Sequence, residues 1–347
     1  MSSWFAFSFL LGNALTAWAS PLARQLPTSP FETLRAAAAP RYFGAALGVP
    51  HLLNFTHDPL FDVTAVLQFN GATPENEMKW AYIEPERNQF NFTGGDIVAA
   101  FSAANDYVLR GHNLVWYQEL APWVETLTGE DLWNATVNHI TTVMTHYKES
   151  FNIYAWDVVN EAFNDNGTYR ENVWYTQLGP DYIPNAYAVA RSVNTPSKLY
   201  INDYNTEGIN NKSDALLAVV QSMKAHNLVD GVGFQCHFFV GELPPDLEQN
   251  FARFVAAGVE IAVTELDIRM NLPPSQADIE QQARDYATVV NACKAQGAAC
   301  VGITTWGITD LYSWIPSTYP GEGYALLFDD NYVPHPAFNA TIQALLA

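Results

Sequence analysis

Two glutamates each stand at the end of an apolar run that is typical of a buried strand. Glu161 follows residues 153–160, and Glu265 lies near the end of residues 259–266. Burial raises the pKa of a carboxyl group, which suits a general acid, whereas a carboxylate that stays ionised suits nucleophilic attack. A single glutamate in such a place is more often an ion-pair partner. The two together, with the residues beside them, predict catalysis by a pair of carboxyl groups.

The residues beside the pair indicate a different role for each glutamate. Asn160 precedes Glu161 and offers an amide that can bond a hydroxyl group of a substrate. Because side chains alternate along a strand, Glu265 and Asp267 are expected on one face. We expect His237 and Asp267 to hold Glu265 ionised and oriented, as a nucleophile requires.

Short apolar runs alternate with longer amphipathic stretches along the chain. The runs cover residues 42–47, 65–69, 108–116, 153–160, 198–203, 232–237, 259–266 and 301–306. Strands that are continuously apolar are buried on both faces, as parallel strands are. Helices are predicted between them, over residues 131–150, 213–226 and 276–296 among others. The pattern predicts an α/β fold, a (β/α)8 TIM barrel in one domain, since the phosphate loop of a doubly wound sheet is missing.

A barrel of this kind places its active site at the carboxyl ends of its strands. Polar or aromatic residues stand at those ends in every predicted strand but the first. They are Glu75, Asn76, Glu77, His112, Trp116, Asn160, Glu161, Asn202, Asp203, Gln235, His237, Glu265, Asp267 and Trp306. Solvation alone does not explain so many at one mouth, so a functional cleft is expected there.

Several segments resemble the signature sequences of glycoside hydrolase family 10, the retaining endo-β-1,4-xylanases. Residues 156–161 (WDVVNE) and 263–267 (VTELD) resemble the family's two catalytic strands. Further matching segments are 75–80 (ENEMKW), 110–116 (RGHNLVW), 200–205 (YINDYN) and 306–310 (WGITD). The resemblance runs from Tyr42 to the final helix and occurs at all the predicted strands in order.

The resemblance implies hydrolysis of β-1,4 linkages in xylan by double displacement. Glu161 would be the acid/base and Glu265 the nucleophile, with the two carboxyls about 5–5.5 Å apart. Asn160 would bond the sugar 2-hydroxyl, and His237, backed by Asp267, would tune Glu265. The resemblance also implies a polysaccharide partner and places further residues along its groove. These are Glu75, Asn76, Lys79, His112, Trp116, Glu119, Tyr204, Gln235, Trp306 and Trp314.

The chain departs from the family's pattern beside the expected cleft. Tyr117 replaces a usual His near the acid/base, Glu119 replaces a Gln that favours xylose over glucose, and Ile315 replaces a usual Arg or Lys. The chemistry should survive, but a strict preference for xylan is in question. One alternative is a retaining β-glycosidase of the same fold that acts on another β-glycan or a glycoside conjugate. A non-catalytic carbohydrate-binding protein is an alternative of another class, but it would have lost one or both glutamates.

Composition excludes several other classes. The formal net charge is −20 over 347 residues, which argues against nucleic acid and against anionic membranes as partners. No G-x-S-x-G element of a serine hydrolase occurs. Of the eight His residues, His112 and His237 could meet at the mouth, but their Lys79 and Trp neighbours favour a sugar site over a metal site. We therefore expect no metal and no cofactor, and we expect a monomer.

The first residues are typical of a secreted protein. Residues 1–19 are predicted to be a signal peptide, 20–40 an Ala- and Pro-rich leader or linker, and 41–347 the catalytic domain. Later segments lack the roughly 20 uninterrupted apolar residues of a membrane span. Acceptor sequons begin at Asn54, Asn91, Asn134, Asn166, Asn211 and Asn339. An extracellular location would favour a disulfide between Cys293 and Cys300, with Cys236 a buried, inert thiol.

Overall fold

The computed structural model describes residues 33–52 and 57–347. The predicted signal peptide, most of the predicted leader and the sequon at Asn54 lie outside these residues.

Parallel strands form a closed barrel in the described part of the chain. Its eight strands are β1 (Tyr42–Leu47), β2 (Gly71–Pro74), β3 (Val108–Val115), β4 (Ile153–Asn160), β5 (Lys198–Asp203), β6 (Gly231–Phe234), β8 (Glu260–Asn271) and β9 (Cys300–Thr305). Each pairs in parallel with its neighbour, and β9 pairs with both β8 and β1, which closes the ring. The short strands β7 (His237–Phe239) and β10 (Glu322–Gly323) add to the long strand β8 beyond the ring. The predicted (β/α)8 TIM barrel is confirmed.

Helices follow the strands and cover the barrel. They are Leu34–Ala38, Pro59–Gln68, Trp80–Ile83, Thr93–Ala104, Pro122–Glu125, Gly129–Ser150, Val173–Leu178, Tyr182–Ser192, Asn211–Ala225, Leu247–Ala256, Gln276–Ala295, Ile315–Thr318 and Pro336–Leu346. The three predicted helices are confirmed to within a few residues at each end. Asn210 and Ser275 begin two of them with capping boxes, which satisfy backbone N–H groups that the first turn leaves free.

The second predicted strand, over residues 65–69, is wrong. These residues end the helix Pro59–Gln68, which begins with Asp58 as N-cap and Pro59 in its first turn. The strand follows at Gly71–Pro74, where small residues suit a tight fit, since a Cβ on Gly71 would lie 2.8 Å from the Tyr42 ring. A short apolar run does not distinguish a buried helix end from a strand.

The sixth predicted strand, over residues 232–237, is two strands in the structure. Strand β6 ends at Phe234, and Cys236 adopts a left-handed conformation with φ of 62° before β7 begins at His237. The break turns His237 into register with Asp267 on β8. A site residue is therefore positioned by an irregularity that strand periodicity does not predict.

The helix Leu34–Ala38 lies within the segment predicted to be a leader or linker. Leu34, Ala37 and Ala38 are buried in the main core, and the helix packs beside the C-terminal helix Pro336–Leu346. The described barrel domain thus includes residues before 41.

The cysteines have the predicted arrangement. Cys293 and Cys300 form a disulfide between the helix Gln276–Ala295 and β9. Cys236 is fully buried, and burial raises the pKa of its thiol. Among the described residues, no helix is both long enough and apolar enough to cross a membrane.

Candidate active site

A cleft of about 560 Å³ opens at the carboxyl ends of the barrel strands. Fourteen of the predicted site residues line it: Glu75, Asn76, Lys79, His112, Trp116, Glu119, Asn160, Glu161, Tyr204, Gln235, His237, Glu265, Trp306 and Trp314. Asp267 is fully buried behind His237. The structure therefore brings together residues from nearly every strand of the barrel at one mouth.

Glu161 leaves the end of β4 with its backbone in the left-handed region, at φ of 56°. Its N–H donates to the carbonyl of Asn202 on β5 at 2.8 Å. Its Oε1 accepts from Gln235 Nε2 at 3.1 Å, and the residue is 7% exposed. The carboxyl group is thus held toward the cleft while it keeps access to it.

Glu265 on β8 is surrounded by donors and positive charge. Its Oε1 accepts from Asn202 Nδ2 at 2.7 Å, and its Oε2 lies 3.2 Å from His237 Nε2. Burial alone raises the pKa of Glu265, but His237, His112 and Asn202 together hold that pKa below its usual value. Glu265 is therefore ionised at neutral and mildly acidic pH.

His237 lies between two carboxylates. Its Nδ1 is 3.0 Å from Asp267 Oδ2, an ion-pair contact that lies outside good hydrogen-bond alignment. Burial lowers the pKa of His237, but Asp267 and Glu265 outweigh burial and raise the pKa to about 10. Trp314 Nε1 also donates to Asp267 Oδ2 at 2.8 Å. Glu265 and Asp267 flank the same imidazole, as strand alternation predicts.

Asn202 connects the surroundings of the two glutamates. Its Nδ2 donates to Glu265 Oε1 and, at 2.8 Å, to Asn160 Oδ1, while Asn160 Nδ2 lies 3.4 Å from Glu161 Oε1. The Asn160 amide is favoured in the orientation in which its oxygen faces Asn202 Nδ2. If the amide were rotated by 180°, its nitrogen would lie 2.8 Å from Asn202 Nδ2, and two hydrogen-bond donors would face each other. The sequence predicts Asn202 only as a strand-end residue, because its contact with Glu265 depends on the registers of β5 with β6 and of β6 with β8.

One end of the cleft combines a buried lysine with carboxylates. Lys79 Nζ donates to Asn76 Oδ1 at 2.7 Å and lies 5.1 Å from the centre of a Trp116 ring. Burial lowers the pKa of Lys79, and the negative charges of nearby glutamates, which raise that pKa, only partly offset the effect of burial. Burial also raises the pKa of Glu75. Lys79 is 7% exposed, so it is part of the site and not a surface lysine.

His112 is fixed by a buried ion-pair network below the cleft. Its Nδ1 lies 3.0 Å from Asp157 Oδ2, and Arg110 donates to the other carboxylate oxygen at 2.5 Å. The His112 ring packs edge-on against Trp306, with ring centres 5.3 Å apart. These contacts leave His112 facing the cleft in one orientation.

Of the three residues that depart from the resemblance, Tyr117 and Glu119 line the cleft, whereas Ile315 is fully buried. Glu119 is exposed, with φ of 45°, and its carbonyl accepts from Ala81 N–H at 2.9 Å. The Tyr117 ring lies 4.5 Å from the guanidinium carbon of Arg170. Burial and the charge of Glu161 raise the pKa of Tyr117 to about 12, so its hydroxyl is neutral.

The cleft also contains residues that the sequence reasoning missed. They are Gln118, Asn205, Arg269, Thr318 and Tyr319. Arg269 could have been found by extending the alternation of β8 from Glu265 and Asp267 by two residues. The loop residues carry no such signal. In the described part of the chain, no group of three or more His, Cys, Asp or Glu residues could hold a metal ion.

A (β/α)8 barrel whose mouth presents two differently surrounded glutamates among tryptophans defines a barrel glycoside hydrolase. Residues 32–344 match the model of glycosyl hydrolase family 10, and the chain belongs to this family.

Proteins with known activities and structures are similar over most of the chain. Endo-1,4-beta-xylanase A of Phanerodontia chrysosporium is 44% identical over 90% of this chain and 76% of its own length. Endo-1,4-beta-xylanase of Agaricus bisporus is 41% identical over 92% of this chain and 96% of its own length. Native xylanase 10B from Thermotoga maritima superposes with a TM-score of 0.86, at 38% identity over 90% of this chain and 98% of that one. A Bispora xylanase solved with xylobiose superposes with a TM-score of 0.84, at 38% identity over 90% of this chain and 99% of that one.

Proposed function

We propose that this protein hydrolyses internal β-1,4 linkages of xylan with net retention, using Glu161 as acid/base and Glu265 as nucleophile. The observation that carries the proposal is the contrast between the two carboxyl groups. Glu265 is kept ionised by His237 and Asn202, whereas Glu161 lies near it on the mouth with amide partners only. Family membership and the xylanase relatives support the same reaction.

In the first step, a Glu265 oxygen attacks the anomeric carbon of the sugar. The bond from that carbon to the glycosidic oxygen breaks as Glu161 gives this oxygen its proton, and a glycosyl ester on Glu265 remains. In the second step, Glu161 takes a proton from water as the water oxygen attacks the same carbon, and the ester bond breaks. Two inversions give net retention.

The residues around the pair take matching roles. Asn160 bonds the 2-hydroxyl of the sugar being cleaved, and Asp267 orients His237, which tunes Glu265. Glu75, Asn76, Lys79 and His112 bind further sugar hydroxyls. Trp116, Trp306, Trp314 and Tyr204 supply flat apolar faces that suit sugar rings. The proposal is supported by their common position along one cleft.

A related candidate is hydrolysis of another β-glycan or of a glycoside conjugate. It is favoured by Tyr117 and Glu119, which line the cleft in place of the family's usual residues. A non-catalytic sugar-binding protein is disfavoured, because both glutamates are present at the mouth. Initial rates on xylan, a mixed-linkage β-glucan and aryl β-xylosides would rank the candidates, and a β-glucan preferred over xylan would reverse our assignment.

Two measurements test the mechanism directly. Proton NMR of fresh xylan digests should show the β-anomer first, and an α-anomer first would exclude retention. Glu265→Ala should abolish turnover without loss of fold by circular dichroism, and turnover at the wild-type rate would contradict the nucleophile assignment.

We also propose that the protein is a secreted monomer. The sequons at Asn91, Asn134, Asn166, Asn211 and Asn339 all have exposed acceptor residues, as glycosylation requires. Mass spectrometry before and after glycosidase treatment of protein from culture medium tests secretion and glycosylation. Light scattering coupled to size exclusion tests the monomer.

A further inference from the structure

The backbone of Glu161 is held from both sides. A non-glycine residue rarely adopts a φ of 56°, so neighbouring contacts must keep it there. On one side its N–H donates to the Asn202 carbonyl at 2.8 Å. On the other side its carbonyl accepts from Arg170 Nε at 3.0 Å. These two bonds orient the peptide groups on either side of the Glu161 side chain.

Arg170 binds the whole segment that follows Glu161. Its backbone N–H donates to the Ala162 carbonyl at 2.9 Å, and one terminal nitrogen donates to the Phe163 carbonyl at 3.1 Å. The same nitrogen donates to Tyr204 Oη at 2.9 Å. A planar guanidinium can make these bonds together because its donors are fixed in direction. Arg170 thus ties three successive residues, including Glu161, to the neighbouring loop.

Two tyrosines hold the guanidinium in place. Its carbon lies 4.5 Å from the centre of the Tyr117 ring and 5.8 Å from the centre of the Tyr204 ring. Contacts of a cation with a ring face at such distances are attractive. Tyr117 is one of the residues at which this chain departs from the family pattern, so part of this arrangement is specific to the chain.

We propose that Arg170 is a positioning residue for proton transfer by Glu161, and that Tyr117 supports Arg170 in this role. The inference rests on the proposed function, because it assumes Glu161 to be the acid/base. Arg170 touches the carbonyl of Glu161 and leaves its carboxyl free, so it acts on the direction of the side chain. Its loss should affect proton donation to the leaving group far more than attack by Glu265.

Aryl β-xylobiosides separate these two effects. A 2,4-dinitrophenolate leaves without protonation, whereas a phenolate requires the proton from the acid. The ratio kcat/KM reports steps up to the first bond cleavage, so it isolates the step in which Glu161 acts as acid. Arg170→Ala should lower kcat/KM on phenyl β-xylobioside by about 10- to 100-fold, in line with the cost of a misplaced catalytic group. On the 2,4-dinitrophenyl compound it should change less than about threefold.

Matched variants keep the inference falsifiable. Arg41 Nε also donates to a backbone carbonyl at 3.0 Å, that of Cys300 at the amino ends of β1 and β9, away from the cleft. Arg41→Ala should lower the thermal midpoint without any dependence on the leaving group. Tyr117→Leu removes the stacked ring but none of the bonds of Arg170 to the backbone, and should show a weaker form of the Arg170→Ala pattern. If Arg170→Ala fails to fold, the same comparison of the two aryl substrates is made with Tyr117→Leu.

The outcomes are distinct. Equal losses on both aryl substrates, or no loss on either, would overturn the positioning role. If wild-type protein cleaves neither xylobioside, the proposed function itself fails. A loss on the phenyl substrate that far exceeds the loss on the 2,4-dinitrophenyl substrate, whether or not the thermal midpoint falls, is the expected result.

Discussion

Replacing His237 with glutamine would remove one positive charge from between two carboxylates while keeping a donor for Glu265. His237 Nε2 lies 3.2 Å from Glu265 Oε2. An opposite charge within about 4–6 Å lowers the pKa of a carboxyl group by about 1 to 3. That corresponds to about 1.4–4 kcal/mol in favour of the ionised form. Without that charge less opposes the effect of burial, so the pKa of Glu265 should rise in the variant.

The higher pKa of Glu265 in the variant should change how activity depends on pH. Glu265 attacks only when ionised, so the acid limb of kcat/KM should move to higher pH by about 1 to 3 in His237→Gln. In the wild-type protein the pKa of His237 is about 10, so its charge persists through neutral pH. The stabilisation that comes from this charge is complete below the ordinary histidine pKa of about 6.5 and is lost as the pH rises through about 10.

The assay is kcat/KM against pH with 2,4-dinitrophenyl β-xylobioside, which needs no proton from Glu161. His146→Gln is a matched control, because His146 also pairs with a carboxylate, Asp96 at 2.7 Å, but lies outside the cleft. The control should leave the acid limb in place. An unchanged acid limb in a folded His237→Gln variant would refute the electrostatic role of His237.

Further predictions follow from contacts at and away from the cleft. Asn202→Ala removes the buried amide that bonds Glu265, so kcat should fall by about 10- to 150-fold, the equivalent of about 1.5–3 kcal/mol, and an unchanged kcat in steady-state assays would contradict this. Glu119→Gln removes an exposed carboxylate from the cleft and should raise kcat/KM on glucuronic-acid-bearing xylan more than on neutral xylan, with the difference shrinking at high salt. Cys293→Ala with Cys300→Ala opens a short loop and should lower unfolding free energy by about 2–3 kcal/mol in denaturant titrations, with kcat unchanged at 25 °C.

The barrel and most site residues were predictable because a parallel strand has a simple sequence pattern. Strands β4 and β5 begin and end where the apolar runs do, since they are buried almost throughout. The pattern failed at β2, where a helix end is more apolar than the strand Gly71–Pro74 that follows it. Packing against Tyr42 requires small residues in this strand, and a local sequence pattern does not predict that contact because Tyr42 lies on another strand.

The carboxyl pair was predictable from residue type and strand position, but its connections were not. Asn202 on β5 meets Glu265 on β8 across the intervening strand β6, and His237 meets Glu265 because of the break at Cys236. Arg170 reaches back to Glu161 across a loop that carries no periodic signal. Strand patterns give the position of a residue along one strand, whereas these contacts depend on register, breaks and loops.

The pairing of β1 with β9 has a consequence for synthesis of the protein. Tyr42 lies opposite Gly302, and Ala45 opposite Thr305, so the ring joins near the two ends of the described chain. Until residue 305 has left the ribosome, β1 and the growing sheet each keep an unpaired edge, and such edges favour association with other chains. A product that stops before β9 should therefore aggregate instead of forming a smaller active barrel, and the nascent protein depends on protection of those edges until β9 has been synthesised.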